Sequence, residues 1–152
     1  MKVGDRLPDL TLPATGGQSV ALRGFKAQPL VVYFYPKDNT PGCTQEGTDF
    51  RDLEKAFRKA GVQVLGVSRD SVKSHENFAA KFQLGFPLLS DGDEAACKAF
   101  DVMREKSLYG RKYLGVDRST FLFDGKGVLR REWRSVKVKG HAQEVLEAAQ
   151  AL

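Results

Sequence analysis

The sequence predicts an α/β protein with a mixed central sheet flanked by helices and an N-terminal β-hairpin. Two runs of β-forming apolar residues, Leu30–Tyr35 and Val62–Val67, are separated by a helical pattern, which is the order of a parallel strand–helix–strand unit. A turn at Asp124–Gly127 between two extended segments indicates a hairpin that adds antiparallel strands. Such a sheet needs helices on both faces. The 152 residues fit one domain, 1–152.

The chain opens with a hairpin and then a buried strand. Two extended segments, Leu10–Leu12 and Ser19–Leu22, flank Thr15-Gly16-Gly17, an arrangement typical of a hairpin. Leu30–Tyr35 follows as six apolar residues, and Pro36 ends the run. A strand without polar alternation is expected to be buried on both faces of a sheet.

The rest of the chain alternates helical and extended patterns. A helical pattern runs from Cys43 to about Lys59, and Gly61 closes it as a C-terminal glycine. The remaining predicted elements are a strand (Val62–Val67), a helix started by Asp70 or Ser71 (Ser71–Phe82), a short strand (Phe86–Leu89), a helix (Glu94–Phe100), two hairpin strands (Ser119–Phe123 and Val128–Arg134) and a closing helix (His141–Leu152).

The composition is that of an ordinary globular protein, with 41% hydrophobic and 28% charged residues. Neither a signal-peptide core nor a membrane-spanning run occurs, so we expect a cytoplasmic protein without a membrane partner. Basic residues at 104–112 and 130–139 contribute to the net charge of +5, but no nucleic-acid motif accompanies them and we expect no nucleic-acid partner. The two cysteines form neither a disulfide framework nor a zinc spacing, so no metal and no cofactor are expected.

The segment from Pro36 to Glu46 carries the chemistry. Cys43 lies where a buried strand gives way to a helix, and the free N–H groups and positive dipole at a helix N-terminus favour an anion. Because the thiolate is the nucleophilic form of cysteine, this placement activates the sulfur. Pro41 fits a helix start, and Gly42 lets the backbone approach a small ligand. Thr40 places a hydroxyl near the sulfur.

These residues alone leave several interpretations open. Cys43 is the nucleophile of an enzyme, or it is an inert cysteine before a helix. A thiol–disulfide carrier is disfavoured because no Cys-x-x-Cys is present. A basic binding or chaperone-like module without turnover is the alternative from another functional class, and it would show salt-dependent nucleic-acid binding.

A resemblance to a known family separates these interpretations. Pro36, Thr40 and Cys43 fill the pattern Pro-x-x-x-Thr-x-x-Cys, which resembles the active-site signature of the peroxiredoxins. The chain is most similar to the bacterioferritin comigratory protein, or peroxiredoxin Q, subfamily. The likeness covers nearly the whole chain and is carried by Tyr33–Glu46, Gly66–Ser71, Phe86–Asp91 and Arg118–Phe121.

The resemblance implies a thioredoxin-like fold and a thiol-dependent peroxidase. Cys43 would be the peroxidatic cysteine, which becomes a sulfenic acid as it reduces a peroxide. Thr40 would hydrogen-bond the peroxide and the sulfur, and Pro36 would shield the site from water. Arg118 would favour the thiolate and polarise the peroxide. Glu46, one helical turn after Cys43, is in a position to orient Arg118.

The chain departs from its subfamily in the second half-reaction. Many members carry a resolving cysteine five residues after the peroxidatic one or in the following helix; those places hold Thr48 and alanines that include Ala79. Cys97 is the remaining candidate for a resolving cysteine. It shares a helix face with Phe100, so we expect a core residue that could reach Cys43 only after local unfolding.

We therefore expect a one-cysteine cycle in a monomeric protein. An external thiol, either thioredoxin or glutathione with glutaredoxin, would reduce the Cys43 sulfenic acid. A two-cysteine cycle through Cys97 and a thiol redox carrier without peroxidase activity are the alternatives. We expect both hydrogen peroxide and organic hydroperoxides as substrates.

Other residues receive simpler interpretations. His75 is expected to be exposed on its helix, and His141 to be structural. Trp133, Phe78 and Phe82 are expected to pack in the core, although the two phenylalanines could also line the site.

Overall fold

The computed structural model describes residues 1–25 and 27–152. The strands in this part of the chain are β1 (Thr11–Ala14), β2 (Gln18–Ala21), β3 (Leu30–Phe34), β4 (Gln63–Ser68), β5 (Leu88–Ser90), β6 (Met103–Leu108), β7 (Arg111–Val116), β8 (Ser119–Phe123) and β9 (Leu129–Trp133). The helices are α1 (Pro41–Asp52), α2 (Glu54–Lys59), α3 (Val72–Phe82), α4 (Ala95–Ala99) and α5 (His141–Gln150), with a short 3₁₀ turn at Leu22–Gly24.

Seven strands form one sheet in the order β2-β1-β5-β4-β3-β8-β9. Strands β3, β4 and β5 are parallel to one another, while β1, β2, β8 and β9 pair antiparallel. The predicted mixed sheet, its N-terminal hairpin and its antiparallel hairpin are therefore confirmed. Strands β3 and β8 align Phe34 with Ser119, so the carboxyl end of β3 adjoins the start of β8.

The sheet separates two hydrophobic clusters. Side chains of β3 alternate between them: Val32 and Phe34 join one cluster, while Val31 and Tyr33 join the other. Helix α4 packs in the first cluster, and α1, α2, α3 and α5 pack in the second. Helices thus cover both faces, as the sequence predicts.

The prediction of one continuous helix from Cys43 to Lys59 is wrong, because two helices occupy this segment. Helix α1 begins two residues earlier, at Pro41, and ends at Asp52, and α2 starts at Glu54. Between them, the Leu53 N–H bonds the Phe50 carbonyl in a tighter turn. No Pro or Gly occurs between residues 49 and 60, so the local sequence carries no signal for this break. Gly61 has a φ of +76°, as expected of a C-terminal glycine.

The largest addition to the predicted fold is a separate two-stranded sheet. Strands β6 and β7 pair antiparallel from Met103–Val116 to Leu108–Arg111. Tyr109 and Gly110 turn the chain with φ values of +51° and +77°, a conformation that suits a two-residue hairpin loop. Arg111 and Lys112, two basic residues of this hairpin, are exposed. Among the helices described, none is both long and apolar enough to cross a membrane.

Candidate active site

The predicted nucleophile lies in the first turn of α1. Pro36 follows β3 and is half-buried, and Thr40 has extended backbone as the residue before the helix. Pro41 occupies the first helical position, where its missing N–H leaves no bond unmade. Cys43 is only 2% exposed. The sulfur therefore lies beneath the surface at a helix N-terminus, as the sequence predicts.

Arg118 reaches the sulfur from a part of the chain 75 residues away. Its Nη2 donates to Cys43 Sγ at 3.4 Å, and its Nη1 donates to Glu46 Oε1 at 2.7 Å. Arg118 immediately precedes β8, whose first residue pairs with Phe34 at the end of β3. The strand order therefore brings Arg118 to the carboxyl edge of the sheet, where α1 begins.

The charges in this cluster depend on one another. Burial raises the pKa of Glu46 to about 7, although the Arg118 guanidinium acts to lower it. Burial alone would lower the pKa of Arg118, but the facing Glu46 and Cys43 outweigh burial and raise it. The guanidinium Nη2 lies within hydrogen-bonding distance of the sulfur, at 3.4 Å. The site therefore places a charged donor beside a buried sulfur.

Gly42 makes room for this arrangement. A Cβ at Gly42 would lie 3.1 Å from Arg118 Nη2, which is a tight contact that the arginine would have to relieve by a small shift.

The Thr40 hydroxyl donates to the Lys37 carbonyl at 2.8 Å rather than to the sulfur. Its oxygen lone pairs therefore remain able to accept a hydrogen bond.

Tyr33 is a residue near the site that sequence reasoning missed. Its ring stacks on Phe50 of α1 at 4.6 Å between centroids, and nearby Glu46 and Cys43 contribute, after burial, to raising the pKa of its hydroxyl. The Tyr33 hydroxyl and Glu46 Oε2 are buried and have no hydrogen-bond partner among the described residues. The alternation of β3 could have indicated it, because Tyr33 lies on the face that α1 covers.

A second network anchors the loop before Cys43, and it corrects the expectation for His75. His75 is fully buried rather than exposed: its Nδ1 lies 2.7 Å from Asp38 Oδ2 and its Nε2 lies 2.9 Å from the Leu89 carbonyl. Asp38 also accepts from Tyr35 at 2.7 Å and from Ser74 at 2.8 Å. A helical pattern does not reveal such burial, because the partners of His75 come from distant segments.

This network gives the buried His75 ring a partner at each nitrogen. Nδ1 lies within hydrogen-bonding distance of the Asp38 carboxylate, and Nε2 lies within hydrogen-bonding distance of the Leu89 carbonyl. Burial would raise the pKa of Asp38, but hydrogen bonds from His75 and Tyr35 outweigh burial and lower it. Asp70, whose Oδ2 accepts from the Asp38 N–H at 2.9 Å, completes a group with the spacing of metal ligands. Its members instead bond to one another and to neighbouring donors.

The other candidate residues lie away from the sulfur. Cys97 is fully buried in the cluster on the opposite face of the sheet from Cys43, and burial strongly raises the pKa of its thiol. Thr48 lies in α1 and its hydroxyl donates to the Gln45 carbonyl at 3.1 Å. Ala79 lies half-buried in α3.

The remaining aromatic and histidine residues pack behind the site. His141 is buried at the start of α5, edge-on to Trp133 at 5.7 Å between ring centroids. Phe78 is buried and Phe82 half-buried in the cluster that contains Cys43. These placements agree with the packing roles expected for the aromatic residues.

Comparisons with known proteins identify the family. The AhpC/TSA family model matches residues 3–132. Peroxiredoxin Bcp of Xanthomonas campestris pv. campestris is 57% identical over 143 residues, covering 94% of this chain and 89% of that protein. Peroxiredoxin Bcp of Bacillus subtilis is 45% identical over 147 residues, covering 97% and 94%.

Solved structures agree with the sequence matches. Peroxiredoxin Q of Xanthomonas campestris superposes with a TM-score of 0.90 at 57% identity, covering 94% of this chain and 90% of that one. A serine variant of PrxQ from Xylella fastidiosa gives a TM-score of 0.95 at 47% identity, covering 99% and 96%. The thioredoxin-like fold expected from the resemblance is therefore confirmed. The chain belongs to the AhpC/TSA family as a peroxiredoxin of the Bcp or Q type, and is a thiol-dependent peroxidase.

Proposed function

We propose that the protein reduces hydrogen peroxide and organic hydroperoxides in a one-cysteine cycle. The observation that carries the chemistry is the 3.4 Å contact between Arg118 Nη2 and the buried Cys43 sulfur. The bacterioferritin comigratory protein of Xanthomonas campestris, whose solved structure is 54% identical to this chain in sequence, has alkyl peroxide reduction activity. This likeness supports organic hydroperoxides as substrates here.

In the first step the Cys43 thiolate attacks the nearer peroxide oxygen. The O–O bond breaks, the sulfur becomes a sulfenic acid, and the other oxygen leaves as water or an alcohol after taking a proton. Arg118 stabilises the thiolate and the developing charge on the oxygens. Thr40, whose own proton is directed to the Lys37 carbonyl, accepts a hydrogen bond from the peroxide. Pro36 limits access of water.

In the second step an external thiol reduces the sulfenic acid. Cys97 lies on the opposite face of the sheet, so a bond between the two sulfurs would require local unfolding. Thr48 and Ala79 supply no thiol. Thioredoxin, or glutathione with glutaredoxin, is the proposed reductant, and the protein is proposed to act as a monomer formed by one domain.

A single oxidation experiment tests this cycle. The protein is treated with one equivalent of hydrogen peroxide, and intact mass and free thiols are measured. The expected product carries one added oxygen on Cys43 and a free Cys97 thiol, and Cys43→Ser neither gains this oxygen nor turns over peroxide. Prompt loss of both thiols within a monomer would refute the one-cysteine cycle, and peroxidase activity retained in Cys43→Ser would refute the assignment of the nucleophile.

A further inference from the structure

A cavity of about 360 Å³ lies between the loop before Cys43 and helix α3. Asn39 lines it from the loop; Lys73, Asn77 and Lys81 line it from α3, and Phe78 adds an apolar contact. The volume lies within the range of pockets that hold small molecules, about 300–1,000 Å³. The proposed mechanism assigns this space no role.

The charge of the cavity favours an anion. Lys73 and Lys81 are exposed, and Lys81 Nζ also lies 3.4 Å from the Asn39 side-chain oxygen. Asp38 is the one carboxylate among the lining residues; it is buried, and its oxygens accept hydrogen bonds from Tyr35 and Ser74. Two exposed lysines against one buried carboxylate give the lining a net positive charge. Two amide side chains, Asn39 and Asn77, offer both donors and acceptors to a peptide-like molecule.

The position of the cavity connects it to the reacting sulfur. Asn39 directly precedes Thr40, the residue before α1, and Cys43 lies in the first turn of that helix. Cys43 is only 2% exposed, and we expect a reducing thiol, which is bulkier than hydrogen peroxide, to reach its sulfur when this turn opens. A thiol already held beside the loop would meet the opened turn at a high effective concentration.

We infer that this cavity binds the reductant as a low-molecular-weight thiol that carries carboxylates, of the glutathione class. The inference rests on the proposed one-cysteine cycle and specifies its second step. Lys73 and Lys81 bind the carboxylates, and Asn39 and Asn77 bind the peptide groups. The thiolate attacks the Cys43 sulfenic sulfur, the S–O bond breaks, and hydroxide leaves as water after taking a proton. A second molecule of the thiol then releases Cys43 as a thiol and leaves as the small-molecule disulfide.

The test measures the reduction step separately from the peroxide step. Cys43 is first converted to sulfenic acid with one equivalent of hydrogen peroxide, and the rate of oxidation is recorded. Reduced glutathione or the uncharged thiol 2-mercaptoethanol is then added, and recovery of the free Cys43 thiol is followed. The double substitution Lys73→Gln/Lys81→Gln is compared with Lys55→Gln/Lys59→Gln, which changes two exposed lysines of α2.

We expect the cavity variant to lose about tenfold or more of the rate with glutathione. Its rate with 2-mercaptoethanol, and the rates of the α2 control with both thiols, should change less than about twofold. Equal losses with both thiols, or no loss with glutathione, would overturn the inference. Failure to form the sulfenic acid would instead refute the proposed function. If the sulfenic acid forms normally but glutathione does not reduce it, thioredoxin is added; recovery of the thiol only then would refute the role of the cavity and leave the one-cysteine cycle intact.

Discussion

The guanidinium of Arg118 is held at two of its nitrogens, and we propose that this geometry activates the sulfur. One nitrogen bonds Glu46 at 2.7 Å and the other lies 3.4 Å from the Cys43 sulfur. The rigid fork of an arginine makes both contacts at once, whereas a lysine offers only one charged nitrogen. Any side chain that displaces Nη2 therefore weakens the contact with the sulfur without removing the charge.

Gly42→Ala tests this geometric dependence. The added methyl would lie 3.1 Å from Arg118 Nη2, so the guanidinium must shift by a few tenths of an ångström, which disturbs its contact with the sulfur. We expect the second-order rate constant of Cys43 with peroxide, measured by stopped flow, to fall about tenfold or more. Gly92→Ala is the matched control, because its Cβ would meet nothing within 4 Å. An unchanged rate in Gly42→Ala would show that the exact place of Nη2 does not matter.

Ionisation of Glu46 makes the free energy of unfolding depend on pH. Burial raises its pKa from 4.5 to about 7, so the folded protein keeps this proton to higher pH than the unfolded chain does. The stabilisation is fully present below pH 4.5 and is lost as pH rises through about 7. It amounts to at most about 3 kcal/mol.

Glu46→Gln should remove this dependence while keeping an oxygen to accept from Arg118. The free energy of unfolding, measured in urea from pH 4.5 to 8, is expected to decline less with rising pH in Glu46→Gln than in the unchanged protein. Glu105→Gln alters a carboxylate that is 64% exposed and serves as the control. Parallel pH curves for Glu46→Gln and the unchanged protein would contradict the raised pKa.

At the scale of residues, the sequence predicted the location of a side chain where a local motif defines it. The placement of Cys43 at the start of a helix follows from local strand and turn patterns, although the helix begins at Pro41, two residues before the predicted start. The contact between Arg118 and the sulfur depends on strand order, and the sequence supplied that residue only through the resemblance. Tyr33 and His75 were missed as parts of the site because burial of a polar side chain depends on partners far away in the chain.

At the scale of elements, helix α5 packs against α1, the helix that carries Cys43. His141, the first residue of α5, lies edge-on to Phe50 of α1 at 6.3 Å between ring centroids. Its Nε2 is 2.7 Å from the Thr120 hydroxyl of β8. One ring thus joins α5 to α1 and to the strand next to Arg118.

His141 predicts an acid-dependent loss of stability, opposite in sign to the effect of Glu46. Burial lowers the pKa of His141 from 6.5 to about 4, with a smaller opposing contribution from Glu144. The unfolded chain therefore binds a proton before the folded one, and stability present above pH 6.5 is lost as pH falls toward about 4. Solvent screening reduces the expected size to about 1–2 kcal/mol.

The corresponding experiment compares His141→Gln with the unchanged protein in urea at pH 4.5, 5.5, 6.5 and 7.5. His141→Gln should be less stable at pH 7.5, and the difference should shrink toward pH 4.5 because only the histidine must remain uncharged. A difference in stability that stays constant with pH would show that His141 acts by packing alone.

Most elements were predictable because their patterns are local, but the β6–β7 hairpin was not. Its strands are largely exposed, including Leu108, Tyr113 and Leu114, so no buried face imposes the alternation that identifies a strand. The break between α1 and α2 at Leu53 likewise has no signal in the local sequence. The main sheet, in contrast, has fully buried strands at β3 and β8, and a continuous apolar run indicates such strands directly.

At the scale of the whole molecule, the sheet separates the two thiols, which lie on its opposite faces. Segments far apart in the sequence are hydrogen-bonded to each other at its edge. The N-terminal segment bonds the β8–β9 hairpin through Leu7 N–H to Gly127 O and Leu129 N–H to Asp5 O. The N-terminal segment and the β8–β9 hairpin are therefore hydrogen-bonded to each other. This continuity supports the proposal that residues 1–152 form one domain, because the sheet edge and the N-terminus cannot separate without breaking these bonds.

Substitution of Arg134 tests whether residues 1–152 unfold as one domain, because its side chain contacts three separate segments of the chain. Its guanidinium donates to the carbonyls of Asp101 at 2.6 Å, Phe100 at 3.0 Å and Met1 at 3.3 Å, and it lies over the Phe121 ring at 5.2 Å. Charged donors to carbonyl groups contribute about 1–3 kcal/mol when partly buried. Arg134→Ala should therefore lower the free energy of unfolding by about that amount. In contrast, Arg130→Ala removes a surface ion pair and should cost less than about 1 kcal/mol.

The shape of the unfolding curve decides between one unit and two. If residues 1–152 form one domain, Arg134→Ala shifts a single transition to lower urea, with tryptophan fluorescence at Trp133 and far-ultraviolet circular dichroism changing together. The m-value should stay the same, because the same surface is exposed on unfolding. Two separated transitions, with fluorescence lost first, would instead show that the N-terminus and the β8–β9 hairpin unfold independently of the parallel strands that position Cys43.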